Sequence, residues 1–170
     1  MPKLLDKGDT PVILDVRAPP PLNEGAVFIE GSVLDRLKLT EIFRGCDCIV
    51  HIAAWHGIHE DSGDKDAYDF FDLNVRGTFE VLEAAASAGI GKVIYISTTS
   101  VYRPDTRYGS SKILAEQIAE DYRSTALSMS LHCAREDLFR IGIVRCTLNT
   151  ATGRAGSGRA RCISMMLPAR

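Results

Sequence analysis

The stretch KVIYISTTSVYRPDTRYGSSKILAEQ, residues 92–117, decides the fold. Its first seven residues are an apolar run of the length and β-branched character of a strand buried on both faces. The run ends in hydroxyls, Ser97 and Thr98, and ten residues after Thr98 comes Tyr108. Lys112 follows four residues later, in a stretch whose apolar spacing predicts a helix over 107–123. Positions i and i+4 share a helix face, so the ammonium is within reach of the phenol. A free phenol has a pKa near ~10 and is a poor base at neutral pH. A neighbouring cation lowers that value, which is what proton removal from an alcohol requires.

The elements on either side repeat the alternation. PVILDV (11–16), AVFIEG (26–31) and DCIVHIAA (47–54) read as short buried strands. LDRLKLTEIFRG (34–45) has helical spacing and a glycine stop. Residues 65–90 predict one long helix, with Phe70, Leu73, Phe79 and Leu82 on one face. Strands alternating with helices give an α/β fold with a parallel sheet covered on both sides. Ligands of such sheets bind beyond the carboxyl ends of the strands. There stand Asp15, a turn residue or an acceptor for ribose hydroxyls, and Ala53 and Ala54, packing residues or small enough to let backbone approach a flat ligand. Asp15 favours NAD over NADP, while Arg17 two residues on leaves NADP open.

Composition narrows the function classes. The chain has 170 residues and a net charge of −2, so no general attraction to nucleic acid or membrane is implied. No apolar run reaches the ~20 residues of a membrane span, and no export pattern is present, which predicts a cytoplasmic protein. The cysteines and histidines have no metal-ligand spacing; Cys46 and Cys48 read as inert thiols, and His56 and His59 as loop residues, solvated or touching a substrate. Charge breaks near residue 124: residues 1–124 carry 13 Lys/Arg against 20 Asp/Glu, residues 125–170 carry 7 Arg against 2 acids. The expected division is an α/β domain over 1–124 and an atypical Arg-rich tail over 125–170, with little order after 150. The tail's glycine cluster, TGRAGSGRA (152–160), reads as a flexible loop.

Taken together, VILDVR, GSVLD, IVHIAA, DLNVRGTFEVLEAA, KVIYISTTSVY and YGSSKILAEQ resemble, in order, the NAD-dependent epimerase/dehydratase family of extended short-chain dehydrogenase/reductases. The resemblance implies a Rossmann-type doubly wound sheet, here partial. No strand and Gly-rich turn precede Asp15, and the chain is expected to begin inside the fold. It implies Tyr108 as general acid/base, Lys112 lowering its pKa and holding the nicotinamide ribose, and Thr98 on the substrate oxygen. Asp15 would bind the adenosine ribose, Ser32 and Val33 would flank the adenine, Ala53 and Ala54 would line the cofactor, and Asn74 would organise the site. Ser32 stands where many members have an acid. RPDTRYGSSK is similar to the uronate-dehydrogenase-like branch and favours a simple dehydrogenase. A sugar-like substrate, NAD and a homodimer through helices 65–90 and 107–123 are implied.

The tail resembles nothing in that family as written. Read in a shifted frame, residues 127–143 and 161–169 permit family-like segments, so a frameshifted substrate half is the expectation, with a genuine Arg-rich extension as the alternative. Such a chain would be impaired as an oxidoreductase. The rival readings are a non-catalytic redox-sensing or scaffold protein of the same fold, and a nucleic-acid- or partner-binding module built on the arginines.

Overall fold

The computed structural model describes residues 5–6, 8–18, 25–102, 105–125, 128–132 and 161–165. Six parallel strands form one sheet: β1 (Thr10–Asp15), β2 (Val27–Glu30), β3 (Cys48–His51), β4 (Lys92–Ile96), β5 (Ser128–His132) and β6 (Arg161–Met165). Their order across the sheet is β2-β1-β6-β3-β4-β5. The chain runs outward from β1 to β2, crosses back to β3, and runs outward again through β4 to β5. The reversal lies between β1 and β3, where an open α/β sheet has its ligand crevice.

The position at that reversal is taken by β6. Ile163 is in register with Val12 on one side and with Ile49 on the other; Met165 aligns with Leu14 and His51. The sequence predicted little order after residue 150. Five of those residues pair into the sheet, and the rest, including the glycine cluster 152–160, lie outside the described residues. Most of the segment read in a shifted frame lies outside them too.

Connecting helices are α1 (Arg36–Phe43), α2 (Gly57–Asp61), α3 (Ala67–Phe70), α4 (Gly77–Ser87) and α5 (Arg107–Thr125), with a 3₁₀ turn at Thr99–Tyr102. Val12, Leu14, Ile49, Val93 and Tyr95 face Leu39 and Phe43 of α1, Val81, Leu82 and Ala85 of α4, and Ala115 and Ala119 of α5 in one core. Period two along the strands and a small-residue stripe on α5 make this packing possible. Cys48 and Ile94, with Val50 and Ile96, form a smaller cluster on the opposite face. Cover on both faces was expected; among the described residues, the helices that pack on the sheet cover one.

The single long helix predicted over 65–90 is three pieces end to end. Asp66 starts it, accepting from the N–H groups of Tyr68 (2.8 Å) and Asp69 (3.0 Å), while the Asp69 carboxylate accepts from the Asp66 N–H (3.1 Å). Between α3 and α4, residues Phe71–Arg76 widen into a π-helix. Phe70 and Leu82 are buried as expected, but Phe79 is exposed, its ring edge-on to Tyr122. The extra residue of the π turn rotates the following face, which is why a constant 3.6 period misplaces it. DCIVHIAA likewise shortens to Cys48–His51.

Candidate functional site

Two groups of side chains gather on the same edge of the sheet, the carboxyl end of its strands. The first lines a cleft of about 240 Å³ at the reversal point. Leu14, Asp15 and Val16 enter it from β1, Gly31, Ser32, Val33 and Leu34 from the turn after β2, Ala53 and Trp55 from the turn after β3, and Asp69, Asp72 and Leu73 from the helical run. Of the residues singled out in the sequence, Asp15, Ser32, Val33 and Ala53 are therefore brought together. Ala54 and Asn74 are buried but do not line the cleft.

The cleft walls are fixed by local hydrogen bonds. The Asp15 carboxylate accepts from the Arg17 N–H (3.1 Å), and the Ser32 hydroxyl accepts from the Leu34 N–H (3.1 Å). Gly77 lets the helical run approach closely: a Cβ there would lie 2.9 Å from Val33 Cγ2. Lys65 places its ammonium 4.3 Å from the Trp55 ring centroid and 3.4 Å from the Asp69 carboxylate.

The second group sits where β4 ends and α5 begins. Tyr108 is 8% exposed and Lys112 3%. Burial pushes the Tyr108 phenol above its ordinary value, and a hydrogen bond with Thr98 pulls the other way. Lys112 donates to the Ile96 carbonyl (2.7 Å) and lies 4.2 Å from the Tyr95 ring centroid. Sequence spacing predicted a phenol lowered by Lys112. The structure has a raised one, because desolvation of the phenolate outweighs the hydrogen bond and the ammonium is engaged with the strand end. Thr98 Oγ1 also accepts from the Ser100 N–H (3.2 Å). Ser97, one residue earlier, has a buried hydroxyl with no partner among the described residues.

Asn74 joins the two groups. Its Oδ1 accepts from the Trp55 N–H (2.7 Å), and its Nδ2 donates to the Trp55 carbonyl (3.0 Å) and to Ser111 Oγ (2.9 Å). Ser111 in turn donates to the Tyr108 carbonyl (2.8 Å). One buried amide thus ties the β3 turn, the π turn and α5 together. Among the described residues, no cluster of three or more His, Cys, Asp or Glu is placed to hold a metal, and no helix is long and apolar enough to cross a membrane.

Sequence reasoning missed Trp55, Asp69 and Asp72 in the cleft and Glu60 beside Tyr108, and it read His56 only as a loop residue, solvated or touching a substrate. The His56 ring stacks on Tyr108 at 5.5 Å between centroids. Burial, then Lys112 and His59, hold its pKa below the ordinary histidine value. The only available signal was position: WHGIHE directly follows a strand end.

A parallel sheet with a crevice at its reversal, and a buried Tyr108/Lys112 pair with Thr98 beside it, defines a dinucleotide-fold protein. The family model described as NAD dependent epimerase/dehydratase family matches residues 1–136, and the chain belongs to that family. It is 30% identical over 146 residues to a UDP-glucose 4-epimerase of Erwinia amylovora, covering 70% of this chain and 43% of that one. It is 29% identical over 127 residues to an L-arabinose 1-dehydrogenase (NAD(P)(+)) of Haloferax volcanii, covering 58% and 48%. Among solved structures it is similar to DesIV, a dTDP-glucose 4,6-dehydratase from Streptomyces venezuelae with NAD and TYD bound. There the TM-score is 0.69 at 27% identity, over 78% of this chain and 50% of that one. The chain spans less than half the length of either curated relative.

Proposed function

We propose that this chain is the nucleotide-binding part of an oxidoreductase that transfers hydride between NAD and a sugar or sugar-like alcohol. The observation that carries the reading is the shared edge: the buried Tyr108 and Lys112 at the start of α5 and the Asp15–Val33–Ala53 cleft lie at the same end of the sheet.

The residues present fit the adenosine end of such a cofactor. Val33, Leu34, Ala53 and Leu73 offer apolar walls to a flat base, and Asp15 offers a carboxylate to ribose hydroxyls. Lys112 would hold the second ribose. When bound, NAD supplies the hydride acceptor. Thr98 orients the substrate hydroxyl toward Tyr108, and Tyr108 takes its proton. With the phenol raised by burial, Lys112 must release the Ile96 carbonyl and turn toward Tyr108 for this step to run at neutral pH. The fold supplies pyrophosphate contacts through backbone N–H groups after its central strand.

Trp55 is the chain's single tryptophan and lines the cleft, so it is a built-in reporter. NAD and adenosine should each change its fluorescence saturably, with the effect weakened in Asp15→Ala. NADH formation with a panel of aldoses and uronic acids should be measurable at 340 nm and lost in Tyr108→Phe. A protein whose Trp55 ignores both nucleotides and which reduces no NAD would sink the reading. Saturable binding with no turnover would favour the non-catalytic alternative. The proposal extends to pairing of two copies through the α4 and α5 side, where Phe71, Phe79 and Leu114 stay exposed. Sedimentation should then give a dimer that Phe79→Glu splits.

A further inference from the structure

We propose that Glu60 is a positioning residue for Tyr108: its carboxylate, reaching from α2, fixes the first turn of α5 and so sets where the phenol stands. This rests on the reading of Tyr108 as the proton acceptor.

The first N–H groups of any helix lack partners within it. In α5, Glu60 Oε1 accepts from the Arg107 N–H (2.9 Å) and Oε2 from the Tyr108 N–H (3.0 Å). Thr106 Oγ1 accepts from the Gly109 N–H (2.9 Å), and the Thr106 carbonyl from the Ser110 N–H (2.9 Å). The leading donors are thus all satisfied, two of them by one side chain 47 and 48 residues away in sequence. A carboxylate at a helix N-terminus also meets the positive end of the macrodipole.

The same short helix touches the tyrosine ring itself. His56, which begins α2, stacks on Tyr108, and a Cβ at Gly57 would lie 3.4 Å from Tyr108 Cδ1. Glu60 is only 18% exposed at its side chain, with the Arg107 guanidinium 3.9 Å away on its outer side. A surface ion pair of that length contributes little. The two charge-assisted bonds to backbone are the strong contacts, and they fix the backbone rather than another side chain. Tyr108 is therefore gripped at its N–H by Glu60, at its carbonyl by Ser111 and on its ring by His56.

A positioning role differs from an electrostatic one. A negative charge this close to a phenol opposes its ionisation. If charge were what mattered, Glu60→Gln would raise activity at neutral pH and Glu60→Ala would do the same. If position matters, Glu60→Ala should lower kcat about 30-fold, since small misplacements of a reacting group are costly. KM for NAD should stay within about twofold, because the adenosine cleft is built from other elements. Glu60→Gln, which keeps one acceptor oxygen, should recover most of the lost rate. Unchanged kcat in Glu60→Ala, a matching rise in KM for NAD, or an equal loss in Glu60→Gln would each overturn the proposal.

Amide hydrogen exchange decides the matter if the wild-type chain reduces no NAD, an outcome that would sink the catalytic reading by itself. The amides of Arg107 and Tyr108 should then exchange at least about tenfold faster in Glu60→Ala, with Val93–Tyr95 unchanged. Equal protection in both proteins would overturn the positioning role. Should Glu60→Ala not fold, Glu60→Gln takes its place: one of the two amides should lose protection, and retention of both would overturn the proposal.

Discussion

The Tyr108 phenol stands between burial, which raises it, and the Thr98 hydrogen bond, which lowers it, with burial ahead. A base held above its ordinary value is mostly protonated near neutrality, and its active fraction grows tenfold per pH unit. The rate of alcohol oxidation, as kcat/KM, should therefore climb with pH through the neutral range, with a slope near one on logarithmic axes. Thr98→Val should shift that limb to higher pH, because it removes the opposing hydrogen bond. His51 gives a second, independent pH signature. Its ring is buried, with Nε2 3.0 Å from Thr78 Oγ1 and no partner for Nδ1 among the described residues. Burial, then Lys112, lowers its pKa from 6.5 to about 3. The folded form thus refuses a proton that the unfolded chain takes up below pH 6.5. The stability it contributes is complete above 6.5 and is lost progressively as pH falls toward 3, by at most about 1.4 kcal/mol per pH unit. Urea denaturation across that window should show the slope, and His51→Gln should flatten it.

At the scale of elements, the π turn Phe71–Arg76 is the joint of the site. Asn74→Ala removes three hydrogen bonds and leaves buried partners on Trp55 and Ser111, so it should cost about 3 kcal/mol in thermal or urea unfolding. Gly77→Ala is the revealing companion. In an ordinary helix interior the change gains about 1 kcal/mol. Here the new methyl meets Val33 Cγ2 at 2.9 Å, so it should instead cost about 1 kcal/mol and weaken nucleotide binding through the displaced cleft wall. These elements also mark what the sequence could and could not tell. Tyr108, Lys112 and Thr98 were legible because a strand end and an i,i+4 pair are local patterns. Asp15 and Ala53 were legible because strand ends converge on one edge whatever lies between them, whereas Ser32 and Val33 came only from the resemblance of GSVLD to the family. The π turn was not, since one extra residue leaves apolar spacing almost unchanged. Nor was Glu60, because an acid in IHED looks like any solvated helix charge until a helix 47 residues later is set against it.

For the whole molecule, the surprise is β6. Its sequence, RCISM, has neither the length nor the continuous apolar character of a central strand, and it follows an Arg-rich stretch that pattern reading sets aside. Only pairing to β1 and β3 together makes it one, a relation invisible along the chain. Ile163→Pro would remove a ladder donor from the middle of the sheet, a place proline does not tolerate. Loss of cooperative unfolding by circular dichroism is expected, whereas an unchanged transition would mean that β6 contributes little to the fold. The order β2-β1-β6-β3-β4-β5 has a further consequence for synthesis. Within the sheet, β6 is the one strand bonded to both β1 and β3, and it is the last of the six to be made. A ribosome would therefore release β2-β1 and β3-β4-β5 as two open ladders, each with a bare edge, and they could be joined only after residue 165 had emerged. Until then those edges are free to pair with other chains. Holdase chaperones should accordingly raise the soluble yield more than any gain in the stability of the finished sheet.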